Sequence, residues 1–285
     1  MDDPLRLLHT PLGVPGSGRV RYGAAMELFQ LGVLSEAQLD VYRDASPHDG
    51  RDPAVMLAHR RLPPVPPLPK APADLLRALF MTAQDYLSGL VHPGQEEVRD
   101  GLRRCSPRER VPEARPHPVA ERWLGPAVEQ AAVLQPCLAA AIAAAAPHLA
   151  WISYDAYPRQ AIGDSFADGH AFAAIAGGDA PFAAENFELG LFLIAPGVLY
   201  RDHRHMAPEL YAPLTGPHGW RFAPGRPLIL KPAGEPVWNP SLQPHLTKVG
   251  RHPFLCLFAW TQDVSVSAEV IPADDWAALE VMNIG

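Results

Sequence analysis

The sequence predicts a chain with a helical N-terminal half and a mainly β C-terminal half that folds as a small antiparallel sandwich or barrel. Two patterns point to this division. In the first half, apolar residues recur at spacings of three and four, which is the period of an amphipathic helix. After Trp151 the chain changes to short β-prone runs separated by proline and glycine, a pattern typical of small all-β architectures.

The helical half divides at a proline run. The segment from Ser35 to Gln38 has the Ser-x-x-Gln form of a capping box, so we expect one helix to end near Gly32 and a second to start at Ser35. Residues 1–62 are predicted to form a helical N-terminal extension, and residues 63–72 a proline-rich linker or surface strap. Residues 73–150 are predicted to be a helical segment that packs on the barrel, which spans residues 151–285.

Four short β-prone runs define the second half. They are Trp151 to Tyr154, Phe187 to Ile194, Leu228 to Leu230, and Phe254 to Trp260. The stretches Asp168 to His170 and Gly177 to Asp179 carry turn residues and are predicted to be turns.

Composition excludes several classes of protein. A net charge of −7 leaves no basic field for a nucleic-acid partner. The three cysteines are unclustered, which argues against a disulfide framework and a thiolate metal site, and favours a reducing cytoplasm. The acidic start of the chain does not resemble a secretory signal. The most apolar stretch, residues 127–151, is broken by Pro136 and Pro147, so we expect no membrane span.

The residues that suggest chemistry follow the second predicted strand. On a strand, residues two apart face the same side, so His203 and His205 project together, as do Glu209 and Tyr211 after the turn. His245, just ahead of another strand, could complete a set of three histidines and one carboxylate. Nitrogen and oxygen donors without thiolate favour one divalent transition metal ion, namely Fe, Mn, Co, Ni or Zn.

A His-x-His pair alone occurs often by chance, and a lone histidine near a strand is more often a satisfied polar residue than a ligand. The added glutamate and the distant histidine make the metal site the stronger interpretation. His218 and His252 match no ligand position, and both are predicted to be solvated.

The spacing His-x-His-x-x-x-Glu followed by a distant histidine resembles the cupin superfamily, whose fold is a double-stranded β-helix, or jelly-roll barrel. The longer pattern resembles the cupin-type dimethylsulfoniopropionate (DMSP) lyases. It comprises Gly190 to Ile194, Tyr200, the ligand positions, Tyr211, Leu214-x-Gly216, Trp238-Asn239-Pro240, Pro244-His245 and Leu257 to Thr261. The resemblance covers about residues 150 to 265, and that family also carries a helical segment before the barrel.

The resemblance implies roles for individual residues. His203, His205, Glu209 and His245 match the family's metal ligands. Tyr211 matches its catalytic base, Tyr200 a second tyrosine at the mouth of the site, and Trp260 an aromatic of the substrate pocket. The candidate catalytic residues are therefore Tyr211 and Tyr200. The candidate substrate-binding residues are Trp260, Tyr200 and Trp220, because their π-faces suit a sulfonium cation.

The implied reaction is a β-elimination in which a tyrosine removes the α-proton and DMSP is cleaved to dimethyl sulfide and acrylate. Structural readings remain open for the aromatics, since Trp260 could be core and Tyr200 could cover the barrel's edge. Two other functions also remain open. One is a metal-dependent cupin acting on another small carboxylate as an oxygenase, isomerase or hydrolase, and the other is a non-catalytic sensor of small acids. We expect the ligand to be a small carboxylate. The sequence is compatible with a homodimer but contains no feature that indicates one.

Overall fold

The computed structural model, which describes residues 3–68, 70–109 and 111–284, separates the chain into two units, Met1–Lys70 and Ala71–Gly285. The first unit is helical, with α1 (Pro4–Leu8), α2 (Ser17–Gln30), α3 (Glu36–Ala45) and α4 (Pro53–His59). Its core is formed by buried residues from all four helices, including Leu8, Leu28, Val41 and Leu57. This unit therefore has a hydrophobic core of its own.

The predicted helix start at Ser35 is confirmed. Ser35 is the N-cap of α3, its hydroxyl accepts a hydrogen bond from the Gln38 backbone N–H (3.3 Å), and the Gln38 side chain accepts one from the Ser35 N–H (2.9 Å). The proline run has no regular secondary structure up to Leu68. Its Pro63 carbonyl accepts a hydrogen bond from the Gln38 side chain (3.0 Å), so the start of the run is held against α3.

The second unit begins with a layer of helices. These are α5 (Pro72–Gly89), α6 (Gln95–Arg104), α7 (Pro118–Ala131), α8 (Pro136–Ala145), a 3-10 turn (Ala146–His148), α9 (Arg159–Ile162) and α10 (Asp164–Gly169). Proline occupies the first turn of α5, α7 and α8, where the missing N–H has no intrahelical partner to lose. The proline content is therefore compatible with the helices.

Two antiparallel sheets follow. Their strands are β1 (Ser106–Pro107), β2 (His170–Gly177), β3 (Phe182–Ala183), β4 (Glu188–Ile194), β5 (Leu199–Arg204), β6 (Glu209–Pro213), β7 (His218–Arg221), β8 (Ile229–Lys231), β9 (Val237–Asn239), β10 (His245–Lys248), β11 (Phe254–Trp260) and β12 (Glu269–Val270), and a last helix, α11, spans Trp276–Val281. The larger sheet has the order β1-β3-β2-β4-β11-β6-β9, and the smaller has the order β12-β5-β10-β7-β8. Within the larger sheet only β2 and β3 run parallel. The mainly β barrel with preceding helices is thus confirmed.

Strand β4 shows how the layers are arranged. Leu191 and its odd-numbered neighbours pack with α5, α7 and α8, whereas Phe192 and Ile194 belong to the core between the two sheets. Because successive side chains point to opposite faces, a strand covered on both sides reads as a continuous apolar run. Gly190 has no side chain, and the ring of Phe258 occupies the space that a Cβ would need (2.5 Å).

Strand β5 is supported by Arg221 on β7 and by the segment that follows β11. Asp202, fully buried, accepts hydrogen bonds from Arg221 Nε (2.9 Å) and from Trp276 Nε1 (2.8 Å). Arg201 pairs with Glu280 on α11 (2.6 Å), and β12 forms the edge strand beside β5. The strand that carries His203 is therefore fixed by contacts on both sides.

Two predictions about local structure were wrong. Residues Trp151 to Tyr154 form no strand: Ile152 exchanges two backbone hydrogen bonds with Phe172 as an isolated bridge. The turn predicted at Asp168 to His170 is absent, since Asp168 and Gly169 end α10 and His170 starts β2, whereas Gly178 and Asp179 do form a turn after β2. The sequence did not indicate β2 because alanine and glycine dominate it. No helix in residues 3–68, 70–109 and 111–284 has the length and apolar character needed to cross a bilayer.

Candidate metal centre and adjoining cavity

The predicted ligand residues come from three strands and one turn. His203 on β5 lies directly opposite His245 on β10, which brings the two rings to 4.0 Å between centroids. His205 follows β5 in the turn, and Glu209 is the first residue of β6. All four side chains are buried. The structure therefore brings together residues that are far apart in the sequence.

The orientation of each imidazole is set by the backbone. The Nδ1 atoms of His203, His205 and His245 lie 2.8, 2.7 and 2.9 Å from the carbonyl oxygens of Arg201, Ala207 and Gln243, respectively. A carbonyl oxygen can only accept, so each Nδ1 carries a hydrogen and donates it. A neutral ring in this tautomer keeps its lone pair on Nε2, which is the arrangement found in metal-ligating histidines.

The three histidines could hold a metal ion. One nitrogen from each ring lies within 4.8 Å of the others, and the Nε2 atoms of His203 and His245 are buried without a hydrogen-bond partner. A carboxylate oxygen of Glu209 stands 3.1 Å from His205 Nε2 and 3.3 Å from His245 Nε2. Buried acceptors without donors are costly unless something fills the space between them. The donor set therefore fits a cation.

The pKa values follow from burial and mutual charge. Burial, and then the neighbouring imidazoles, hold the pKa of His203 well below its ordinary value, so this ring is neutral. Burial acts to lower the pKa of His205 as well, but the charge and hydrogen bond of Glu209 outweigh it and the pKa rises. Burial would raise the pKa of Glu209, yet the two imidazoles lower it and keep the carboxylate ionised. Glu209 thus contributes a negative charge beside the imidazoles.

Glu209 is oriented by side chains around it. The indole N–H of Trp260 donates to Glu209 Oε1 (2.8 Å), and the Asn239 amide approaches Oε2 at 3.4 Å. The Trp260 ring also packs beside that of His205, with 4.6 Å between centroids. Trp260 is therefore linked to the predicted metal ligands by a hydrogen bond as well as by packing.

Two predicted tyrosines lie beside the histidines. Tyr211 is buried, and its ring centroid is 6.0 Å from that of His245. Tyr200 stacks on His203 (3.8 Å), and its hydroxyl is hydrogen-bonded to the hydroxyl of Tyr157 (2.8 Å). Burial raises the pKa of all three phenols well above 10. Tyr157 was missed because it lies in an irregular segment without a recognisable motif.

An aromatic cavity of about 160 Å³ opens next to this cluster. It is lined by Tyr154, Phe166, Phe172, Glu188, Phe192, Tyr200, Glu209, Tyr211, Phe258, Trp260 and Val264. A cavity of about 150 Å³ accommodates a molecule the size of benzene. Tyr200, Tyr211 and Trp260 are thus brought to one small, mostly apolar chamber that is large enough for a small carboxylic acid.

The predictions for Trp220 and His218 need correction. Trp220, expected among the substrate-binding residues, is fully buried and is not one of the lining residues; it packs behind Tyr211, with 5.4 Å between ring centroids. His218, expected to be solvated, is 1% exposed; its Nδ1 accepts from the Gly250 N–H (3.2 Å), and burial lowers its pKa to about 3. His252 is half-buried.

Glu188 is a cavity residue that the sequence did not single out. Glu188 is the first residue of β4, and in the sequence it is simply a polar residue at the start of an apolar strand. Burial, and then the charge of Glu209, raise its pKa to about 7. No donor among the described residues hydrogen-bonds its carboxylate, so nothing offsets the effect of burial. The position of Glu188 in the cavity depends on the register between strands, and that register is known only once the sheet has folded.

The fold and the site define a class. Two facing antiparallel sheets, with histidines and a glutamate turned into the space between them, form a cupin barrel with the residues for a metal centre. Among solved structures, one from a study of the DMSP lyases RdDddP and RnDddQII aligns with a TM-score of 0.58 at 23% identity, over 71% of this chain and 100% of that one. DMSP lyase DddQ from Ruegeria pomeroyi DSS-3 aligns with a TM-score of 0.52 at 21% identity, over 71% and 97% of the two chains. These likenesses establish the cupin fold.

Sequence comparison gives the family. A family model described as dimethylsulfoniopropionate lyase matches residues 97–256, more than half of the chain. The chain belongs to the DMSP lyase family. Dimethylsulfoniopropionate lyase DddQ from Ruegeria pomeroyi is 30% identical over 111 residues, which are 39% of this chain and 55% of the relative. The match thus spans about half the length of that curated relative.

Proposed function

We propose that the protein is a metal-dependent carbon–sulfur lyase that cleaves DMSP to dimethyl sulfide and acrylate, with Tyr211 as the general base. One observation carries the proposal: three buried imidazoles that could hold a metal ion lie next to an aromatic cavity lined by Glu209 and Tyr211. Membership of the DMSP lyase family supports the same reaction.

His203, His205, His245 and Glu209 would hold one divalent transition metal ion, since imidazole and carboxylate donors without thiolate suit Fe, Mn, Co, Ni or Zn. When bound, the ion supplies Lewis-acid polarisation of the substrate carboxylate, which makes the adjacent α-proton more acidic. The hydrogen bonds from the three Nδ1 atoms to the backbone keep the ligand tautomer in place.

Tyr211 would remove that proton. Two residues beyond Glu209 on β6, it shares the inward face of the strand with the proposed ligand. Burial, and then the charge of Glu209, raise the pKa of its phenol well above 10 in the metal-free chain. A divalent charge at the histidines acts in the opposite direction and favours the phenolate. In the proposed step, the phenolate oxygen takes the α-proton, the Cα–H electron pair becomes the C=C bond of acrylate, and the C–S electron pair leaves with dimethyl sulfide.

The aromatic walls suit the sulfonium group. A cation without N–H or O–H groups makes no hydrogen bonds, and the faces of Trp260, Tyr200 and the phenylalanines offer it an electrostatic partner. Tyr200, hydrogen-bonded to Tyr157, would be held as part of the wall and as a second polar group near the reacting carbon. Trp220, behind Tyr211, would support the base instead of touching the substrate.

The test is headspace dimethyl sulfide released from DMSP by metal-loaded protein and by its Tyr211→Phe variant. We expect the wild type to release dimethyl sulfide and the variant to lose at least about a thousandfold in kcat, because one general base is removed. Metal content should be the same in both, since no ligand changes. A metal-loaded wild type that releases no dimethyl sulfide would contradict the reaction, and near-normal turnover by the variant would exclude Tyr211 as base.

A further inference from the structure

Glu188 occupies a defined place relative to the proposed metal centre. In the larger sheet, Trp260 on β11 lies directly opposite Glu188 on β4 and directly opposite Glu209 on β6. Residues directly opposite one another across strands point to the same face, so all three side chains enter the barrel in one row. Adjacent strands are about 4.8 Å apart, which puts the two glutamate backbones about 10 Å apart with Trp260 between them.

The surroundings of Glu188 are unusual for a half-buried carboxylate. Its neighbours in the cavity wall include Phe172, Phe258 and Trp260, and no cation or hydrogen-bond donor of the described residues pairs with it. Carboxylates that are largely withdrawn from water are normally paired with a positive charge or with donors. A partner supplied by the ligand would satisfy both the charge and the apolar walls.

The wall also limits what that partner can be. A primary ammonium group presents three N–H donors and needs several acceptors, whereas this part of the wall is aromatic apart from one carboxylate. A methylated onium group has no donors to satisfy and binds to π-faces and to negative charge. Glu188 and Phe172 also line an outer groove on the far side of the wall, so Glu188 stands where the cavity meets that groove.

We propose that Glu188 is the specificity-determining residue that binds the onium group of the substrate, across Trp260 from the metal-binding end. The site then matches a short zwitterion, with its carboxylate directed to the histidines and its cation between Glu188 and the aromatic rings. The inference rests on the proposed function in one respect: it takes the substrate to be an onium carboxylate.

The test compares two ligands that differ only in charge. They are 3-(trimethylammonio)propanoate and its carbon isostere 4,4-dimethylpentanoate, and their dissociation constants are measured by calorimetry on metal-loaded protein. We expect the wild type to prefer the onium ligand, and Glu188→Gln to reduce this preference at least about tenfold with little change in affinity for the isostere. Glu188→Asp, which keeps the charge, should retain part of the preference. Glu185→Gln, an exposed residue nearby, removes the same charge outside the cavity and should behave as wild type.

Turnover of DMSP by the same variants separates the inference from the proposed function. The inference predicts a higher KM for Glu188→Gln with kcat changed by no more than a few-fold. Release of dimethyl sulfide with an unaltered ligand preference in Glu188→Gln would overturn the inference and leave the reaction standing. A Glu188-dependent onium preference in a protein that does not cleave DMSP would support the inference and refute the reaction. A wild type without onium preference, or a loss of kcat alone, would also overturn the inference.

Discussion

Replacing Glu188 by glutamine should stabilise the metal-free protein at alkaline pH and have little effect at acid pH. The folded-state pKa of this carboxyl is raised from 4.5 to about 7 by burial and by Glu209. A carboxyl with a raised pKa contributes stability while it is protonated and loses that contribution as the pH rises from the unfolded-state pKa to the folded-state pKa. Glutamine, which has a similar shape and no charge, avoids the loss.

The magnitude follows from the size of the shift. A shift of roughly 2.5 pH units at 1.36 kcal/mol each gives about 3 kcal/mol, as an upper limit, in the free energy of unfolding. The difference between Glu188→Gln and wild type should therefore grow from below about 1 kcal/mol at pH 5 to about 3 kcal/mol at pH 8. Most of the change should fall in that window, because both pKa values lie near or inside it.

The assay is urea unfolding of chelator-treated wild type, Glu188→Gln and the Glu185→Gln control at several pH values. Titrations common to the proteins cancel in the differences. Glu185 is exposed, so its substitution should give a small difference that does not depend on pH. A stability difference for Glu188→Gln that is the same at pH 5 and pH 8 would refute the argument that this carboxyl is buried at an energetic cost.

Two further substitutions test the site and the barrel wall. His245→Ala should weaken metal binding more than about a hundredfold, measured by titration with a competing chelator. Substitution of the half-buried His252 by alanine is the control and should leave metal affinity unchanged. Equal metal affinities of the two variants would remove His245 from the ligand set. Gly190→Ala places a Cβ 2.5 Å from the Phe258 ring and should push that ring into the cavity, at a cost of about 1–3 kcal/mol in thermal or urea unfolding. Gly178→Ala meets no atom within 4 Å, so a Gly190→Ala protein as stable as this control would contradict the packing argument.

The sequence could predict the elements whose rules are local. A period of two puts Glu209 and Tyr211 on one face of β6, and a Ser-x-x-Gln pattern marks the start of α3, because neighbouring residues alone decide both. The row of Glu188, Trp260 and Glu209 depends instead on how three strands that are distant in the chain align in the sheet. No local pattern encodes that register.

The same limit explains the errors. His218 was predicted to be solvated because it matches no ligand position, and Trp220 was predicted to bind the substrate, yet both are on β7 inside the barrel. Strand β2 is mostly alanine and glycine. Its strand conformation comes from backbone pairing with β4 along one edge and from helices that cover one of its faces. Tertiary context outweighs intrinsic propensity in both places.

The support of β5 by β12 and α11 has a consequence for how the protein is made. Translation completes all four proposed ligands by His245, but Asp202 and Arg201 acquire Trp276 and Glu280 as partners only after another thirty or so residues have been added. Until then, the strand that bears His203 lacks its edge partner and its outer hydrogen bonds. A nascent chain interrupted after β11 would carry every proposed ligand while β5 is still open at its edge, and we expect cellular proteases to remove such fragments before they can compete for metal.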